Sequence, residues 1–201
     1  MVPELLLALA PLGSGEERGA GAMDLGSQRR WIARTAMGIQ SIADSDHQRL
    51  LELEGYGHYR ALWQGSFDRQ LSGPCFVGVF GLVALREDTP NPWGPELSER
   101  IWGGGLQIPL HVFVESGILS IVPRVGFTSG VLSLYDEGAS SGALLLGGEL
   151  VGVQSLTTAT PTVGLGVALG IYYAPVPPPS EIGKSYDLGG AYLIVVGEIH
   201  G

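Results

Sequence analysis

The chain has 201 residues and a mass of 21.1 kDa, enough polypeptide for one domain that encloses a sizeable core. Glycine supplies 32 residues, more than double the usual ~7%, while charged residues are only 15% and mean hydropathy is +0.24, which excludes a disordered chain; aperiodic glycine excludes collagen. A balance of 11 basic to 20 acidic residues, net −9, lacks the basic stripe that nucleic acid rewards, and the lone Cys75 excludes an intramolecular disulfide framework or a multi-cysteine metal site.

Residues 1–28 read as a leader or flexible N-terminal segment ahead of one domain, 29–201. Leu5–Leu12 is a short apolar run, and Ala20-Gly21-Ala22 resembles a small-residue cleavage site. Glu4 stands where a secretory signal wants a basic start, and Glu16, Glu17 and Arg18 separate the run from the triplet, so the segment reads as a degraded or truncated signal.

Beyond it the chain alternates with period two. Trp31–Ile42 sets Trp31, Ala33, Thr35, Met37 and Ile39 against Arg34, Gly38 and Gln40. Tyr59–Leu71 sets Tyr59, Ala61, Trp63, Gly65 and Phe67 against Arg60, Leu62, Gln64, Ser66, Asp68 and Gln70. Cys75–Arg86 is apolar on both faces. Arg100–Phe113 opposes Trp102, Leu106, Ile108, Leu110 and Val112 to Gly103, Gly105, Gln107 and His111. Ile118–Leu134 opposes Leu119, Ile121, Val125 and Phe127 to Ser120, Arg124, Gly126 and Thr128. Ser141–Leu156 sets Leu144, Leu146 and Leu150 against Gly147 and Glu149. From Thr160, large apolar residues from Val163 to Tyr173 alternate with small ones, and Tyr186–His200 is again apolar on both faces. Such alternation specifies strands, not helices. The uncharged span Leu150–Ser180 is broken by glycines and prolines, poor material for a membrane helix.

Eight strands are therefore expected. Their connections run long, short, long, short, medium, short, long, the signature of an outer-membrane barrel with tight turns at one end and longer loops at the other. The chain resembles the small eight-stranded outer-membrane barrels of the OmpA or OmpX type, from about Arg29 to His200. Asp187, Gly189, Tyr192 and Ile194 match that family's C-terminal assembly signal, although the chain ends on Ile199-His200-Gly201 where the family usually ends on an aromatic. The resemblance implies an all-β, eight-stranded antiparallel up-and-down transmembrane barrel in the outer membrane. It also implies periplasmic termini, outer-membrane lipids as surroundings, and the barrel-assembly machinery as a partner through those four residues. A monomer is expected.

A soluble, lipocalin-like barrel binding an apolar ligand is the inside-out alternative. Against it, a water-facing exterior would carry many lysines, and Lys184 is the only one. Inside a narrow barrel, Arg34, Arg60, Asp68, Arg124 and Glu149, with Glu198 as a further candidate, are expected to form a structural polar network that fills the lumen. Arg86 and Arg100 are expected at the outer rim, as planar donors to lipid phosphates. The outer connections are read as acidic, with Asp44, Asp46, Glu52, Glu54, Glu87, Asp88, Glu96, Glu99, Asp136, Glu137, Glu181 and Asp187. That pattern is first a solvated surface, and no metal site is assigned. No cofactor or catalytic residue is assigned either. A lipid A acyl-modifying enzyme is the competing function, for which His58 is the best-placed histidine. The expected role is non-catalytic, in membrane integrity or surface interaction.

Overall fold

The computed structural model describes residues 30–42, 58–88, 97–134, 137–176 and 186–201. The expected leader, His47, and the connections 43–57, 89–96, 135–136 and 177–185 with most of their acidic residues lie outside the described residues.

The strands are β1 (Trp31–Ser41), β2 (Tyr59–Ser72), β3 (Cys75–Asp88), β4 (Leu97–Gln107), β5 (Leu110–Val114), β6 (Gly117–Leu134), β7 (Glu137–Ser155), β8 (Thr162–Tyr173), β9 (Pro175–Val176), β10 (Tyr186–Asp187) and β11 (Gly190–His200). β4 and β5 follow one another between β3 and β6 and make one stave. Every neighbour in the main sheet is antiparallel, and β1 closes on β11, with Arg34 opposite Glu198. The result is a closed eight-staved barrel with no free edge, as predicted.

Two staves are less regular than their sequences imply. Pro109 has no N–H and interrupts the expected strand Arg100–Phe113, where the Ile108 amide donates to the Pro123 carbonyl at 3.2 Å. The expected strand Tyr186–His200 is broken at Leu188-Gly189. Its first residues pair with β9 as a separate hairpin at the end opposite the tight turns, and Leu188 tucks inward. The intermediate loop expected after β6 shrinks to residues 135–136, because β6 and β7 stay paired up to Leu134 and Glu137. At the opposite end, β2 and β3 are joined by Gly73-Pro74. Gly73 has φ of 51°, which a tight hairpin wants at that position and which glycine adopts without a Cβ clash.

Alternation decides which face goes where. On β8, Val163, Leu165, Val167, Leu169, Ile171 and Tyr173 point out, while Ala168 and Tyr172 are buried inside. All the strands faced from sequence keep that facing. The two that were not faced resolve the same way: Phe76, Phe80, Leu82 and Ala84 of β3 and Tyr192, Ile194 and Val196 of β11 point inward. The outer wall is apolar around the barrel, from Met37 (61% exposed) to Phe127 (73%). A soluble barrel hides this much apolar surface; here it is the outside, so the lipocalin-like alternative is overturned. With β4 and β5 counted as one stave, every barrel stave runs at least 11 residues and the longest strand 19, which meets the ~9–11 needed to cross hydrocarbon at a tilt. This is a transmembrane β-barrel.

Candidate functional site

The lumen is where this chain keeps its chemistry. Among the described residues, four arginines (Arg34, Arg60, Arg86, Arg124) and four carboxylates (Asp68, Glu99, Glu149, Glu198) are less than a tenth exposed. With a neutral His111 these eight buried charges sum to zero. Buried charges persist only when paired and hydrogen-bonded.

At the end with the tight turns and both barrel-strand termini, Ile32, Phe76 and Ile118 form an apolar floor with Phe113 against it. Above it, Arg34 donates from Nε to Glu198 at 2.8 Å and from Nη2 to Ser120 Oγ at 3.0 Å. His111 Nδ1 lies 2.6 Å from the same Ser120 hydroxyl. Asp68 Oδ1 accepts from Gln107 Nε2 at 2.6 Å.

Gln107 then links this group to a second one, accepting through Oε1 from Arg124 Nε at 2.8 Å. Arg124 reaches Glu149 through Nη1 at 3.0 Å and Nη2 at 3.1 Å. It also touches Gln64 and the Tyr172 hydroxyl, and lies 5.0 Å from the Phe80 ring centroid. Tyr192 donates to Glu149 at 2.8 Å, and Tyr172 donates to Gln64 at 2.9 Å. Further from the tight turns, Arg60 forks onto Glu99 through two bonds, 2.8 and 2.7 Å, and caps the Leu188 carbonyl at 2.9 Å.

The five residues assigned to the lumen, Arg34, Arg60, Asp68, Arg124 and Glu149, thus all lie inside; Gln107 links four of them, and Arg60 stands apart with Glu99. Arg60 pairs with neither Asp68 nor Glu149. Its partner Glu99, read from sequence as part of an acidic loop, belongs to β4, whose pairing reaches back to Leu97 and turns Glu99 inward. Arg86 is a second correction. It is 5% exposed and turned into the lumen, because even positions of β3 face inward, so it cannot meet lipid phosphates at the rim. Arg100 does lie on the outside, exposed and 3.7 Å from Glu87. Gln64, Gln107, Ser120, Tyr172 and Tyr192 were not anticipated as partners. Their only sequence signal was parity, since amides and hydroxyls carry no charge to draw attention.

Of the assembly-signal residues, Asp187 Oδ1 accepts from the amides of Ala174 and Gly189, both at 2.7 Å, and so fixes the turn into β11. Tyr192 and Ile194 are buried in the lumen. His58 is half-buried just before β2, and its carbonyl accepts from the Ile42 amide at 3.0 Å. Among the described residues no group of three His, Cys, Asp or Glu side chains could hold a metal ion.

Ser120, His111 and Asp68 superficially have the composition of a hydrolase triad. Yet Asp68 Oδ2 is 3.8 Å from His111 Nε2, beyond hydrogen-bond range. Arg34 donates to the serine oxygen, and all three residues are at most 5% exposed. An acyl substrate has no approach.

On the outer wall, Gly65, Gly81 and Gly104 are successive register partners. They floor a shallow groove of about 700 Å³ walled by Trp63, Trp102 and Phe127.

An apolar outside around a charge-neutral, hydrogen-bonded filling defines a class: the fold is that of the small eight-stranded outer-membrane β-barrels. No family model and no curated protein matches the chain. Among solved structures it is similar to Neisserial surface protein A (NspA), with a TM-score of 0.59 and 10% identity over 85% of this chain and 96% of that one. Two structures of Ail, the attachment invasion locus protein of Yersinia pestis, match at TM-scores of 0.47 and 0.43, with 10% and 11% identity. Each match covers 86% of this chain and 97% of that one, and the first holds the heparin analogue sucrose octasulfate. Only the NspA likeness is near enough to bear on the fold.

Proposed function

We propose that this protein is an integral outer-membrane barrel with a non-catalytic role in membrane integrity or surface interaction. Both termini would be periplasmic, with the longer connections outside. The observation that carries the reading is the inversion of polarity: aliphatic side chains outside, and inside a neutral network that joins most of the lumen charges. A filled eight-stranded lumen offers no aqueous path. The sealed Ser120–His111–Asp68 group supports a non-catalytic role, and the name of NspA as a surface protein agrees with surface exposure.

Two finer expectations belong to this reading. Arg100, exposed on the outer wall, is placed to meet a lipid phosphate. Recognition by the assembly machinery through Asp187, Gly189, Tyr192 and Ile194 would have to precede closure, since Tyr192 and Ile194 are buried in the finished barrel.

The test begins with the chain refolded into detergent, boiled and unboiled samples being compared on a denaturing gel beside far-UV circular dichroism. A heat-dependent mobility shift with a β spectrum is expected; a soluble β monomer without detergent would refute the membrane reading. In intact cells, with Cys75 replaced by serine, a membrane-impermeant thiol reagent should label Ser45→Cys and spare Ser116→Cys. The reverse pattern would invert the proposed topology. Ser120→Ala should leave lipid A acylation unchanged, and a loss of acylation would reinstate the enzyme.

A further inference from the structure

Three buried polar atoms of the lower cluster lack a direct hydrogen-bond partner: Arg34 Nη1, Asp68 Oδ2 and His111 Nε2. Asp68 Oδ2 lies 3.9 Å from the first and 3.8 Å from the third. These separations are too long for direct hydrogen bonds and match two groups that share one small molecule between them. The three residues are 7%, 0% and 1% exposed, so bulk solvent does not satisfy these atoms.

The remaining bonds of the cluster set what each atom offers. Arg34 uses Nε on Glu198 and Nη2 on Ser120, which leaves Nη1 a free donor. Asp68 uses Oδ1 on Gln107 and offers Oδ2 as an acceptor. Ser120 Oγ accepts from Arg34, and among the described residues His111 Nδ1, at 2.6 Å, is the neighbour placed to take its proton, so we assign the hydroxyl as donor to that nitrogen. That bond places the imidazole proton on Nε2, which becomes a second free donor.

Two donors are left, each within 4 Å of one carboxylate acceptor. A cation there would meet the Arg34 guanidinium, and an anion would meet the Asp68 carboxylate. A neutral molecule that accepts twice and donates at least once fits the set, and water does so with one proton left over.

We propose that the lumen holds a built-in water site bounded by Arg34 Nη1, Asp68 Oδ2 and His111 Nε2, which completes the lower polar cluster. The site needs only the barrel interior and is independent of what the protein does at the cell surface.

A high-resolution crystal structure of the full chain refolded in detergent tests it. A single water within about 2.6–3.2 Å of all three atoms is expected. Direct contact of Asp68 Oδ2 with either partner, or an ion at the position, would overturn the proposal. Asp68→Glu provides the displacement test, because one added methylene lets the carboxylate span the gap and expel the water. A water retained in D68E would overturn the assignment of the three atoms as its boundary. The histidine state gives a readout that needs no variant. ¹⁵N spectra of the wild-type barrel should show His111 Nδ1 unprotonated and Nε2 protonated, and the opposite tautomer would refute the donor set.

Discussion

Arg60 on β2 and Glu99 on β4 meet across the lumen through two parallel hydrogen bonds, Nε to Oε2 at 2.8 Å and Nη2 to Oε1 at 2.7 Å, with both side chains buried. Their strands are not adjacent, since β3 lies between them. The pair therefore spans the barrel interior and ties two walls together. Removing one partner strands the other charge in a dry site, which costs about 3–5 kcal/mol, whereas replacing both with apolar residues is often close to neutral. Glu99→Ala is thus expected to lower unfolding stability in detergent by about that much, and the double variant Arg60→Met/Glu99→Leu to recover most of it. Denaturant titration followed by tryptophan fluorescence measures both. Equal losses in the single and double variants would mean that volume, not charge pairing, matters here.

Val167 and Ala168 are neighbours in sequence and opposites in environment: 58% exposed on the outer wall against 1% inside. If the wall faces hydrocarbon, Val167→Arg should cost ~2–4 kcal/mol, while Tyr59→Arg, at the outer end of β2, should cost only ~0–1. Folding yield into lipid vesicles, read by the gel shift, separates the two. Matching yields would contradict the placement of Val167 near mid-membrane.

The barrel and the facing of most strands were legible in the sequence because the two environments select different residue sizes. Hydrocarbon takes Leu, Ile and Val, and the narrow lumen takes Gly, Ser and Thr. The signal fails on β3 and β11 because a lumen closed to bulk solvent also has to be filled with bulky side chains, and Phe76, Phe80, Tyr192 and Ile194 supply them. Once both faces are apolar, period two disappears. Arg86 was misplaced for that reason, and Glu99 because the start of β4 is marked by no change in composition. Which charge meets which was not legible at all. Arg124 and Gln64 are 60 residues apart in sequence and meet only through the stagger of the strands.

Glycine positions separate close packing from open surface. A Cβ at Gly105, which faces the lumen, would collide with the Val125 carbonyl and the Gly126 Cα of β6. At outward-facing Gly65 the nearest atom would be the Arg34 carbonyl at 3.9 Å, an ordinary contact. Gly105→Ala forces backbone to move and is expected to cost about 1–3 kcal/mol, as overpacking does. Gly65→Ala should stay within ~0.5 kcal/mol of the parent, as surface substitutions usually do. Parallel unfolding titrations check the pair, and comparable losses at the two sites would show that the approach of β4 to β6 is looser than described.

Asp187 allows a structural duty to be distinguished from a signalling one. Its Oδ1 accepts from the amides of Ala174 and Gly189, both at 2.7 Å, and so fixes the turn where β11 begins. Hydrogen bonds to a charged group contribute about 1.5–3 kcal/mol, so Asp187→Ala should destabilise the barrel by that order even when it is refolded in pure detergent. Asp187→Asn keeps an acceptor oxygen in place and should restore much of the loss. Refolding in vitro involves no assembly machinery, so a deficit there belongs to the turn itself. The in-cell yield of assembled barrel, compared across the same variants, then isolates recognition. If Asp187→Asn matches the parent in detergent but assembles poorly in cells, the carboxylate is read by the machinery. If the two measurements fall in parallel across both variants, the residue acts through the fold alone.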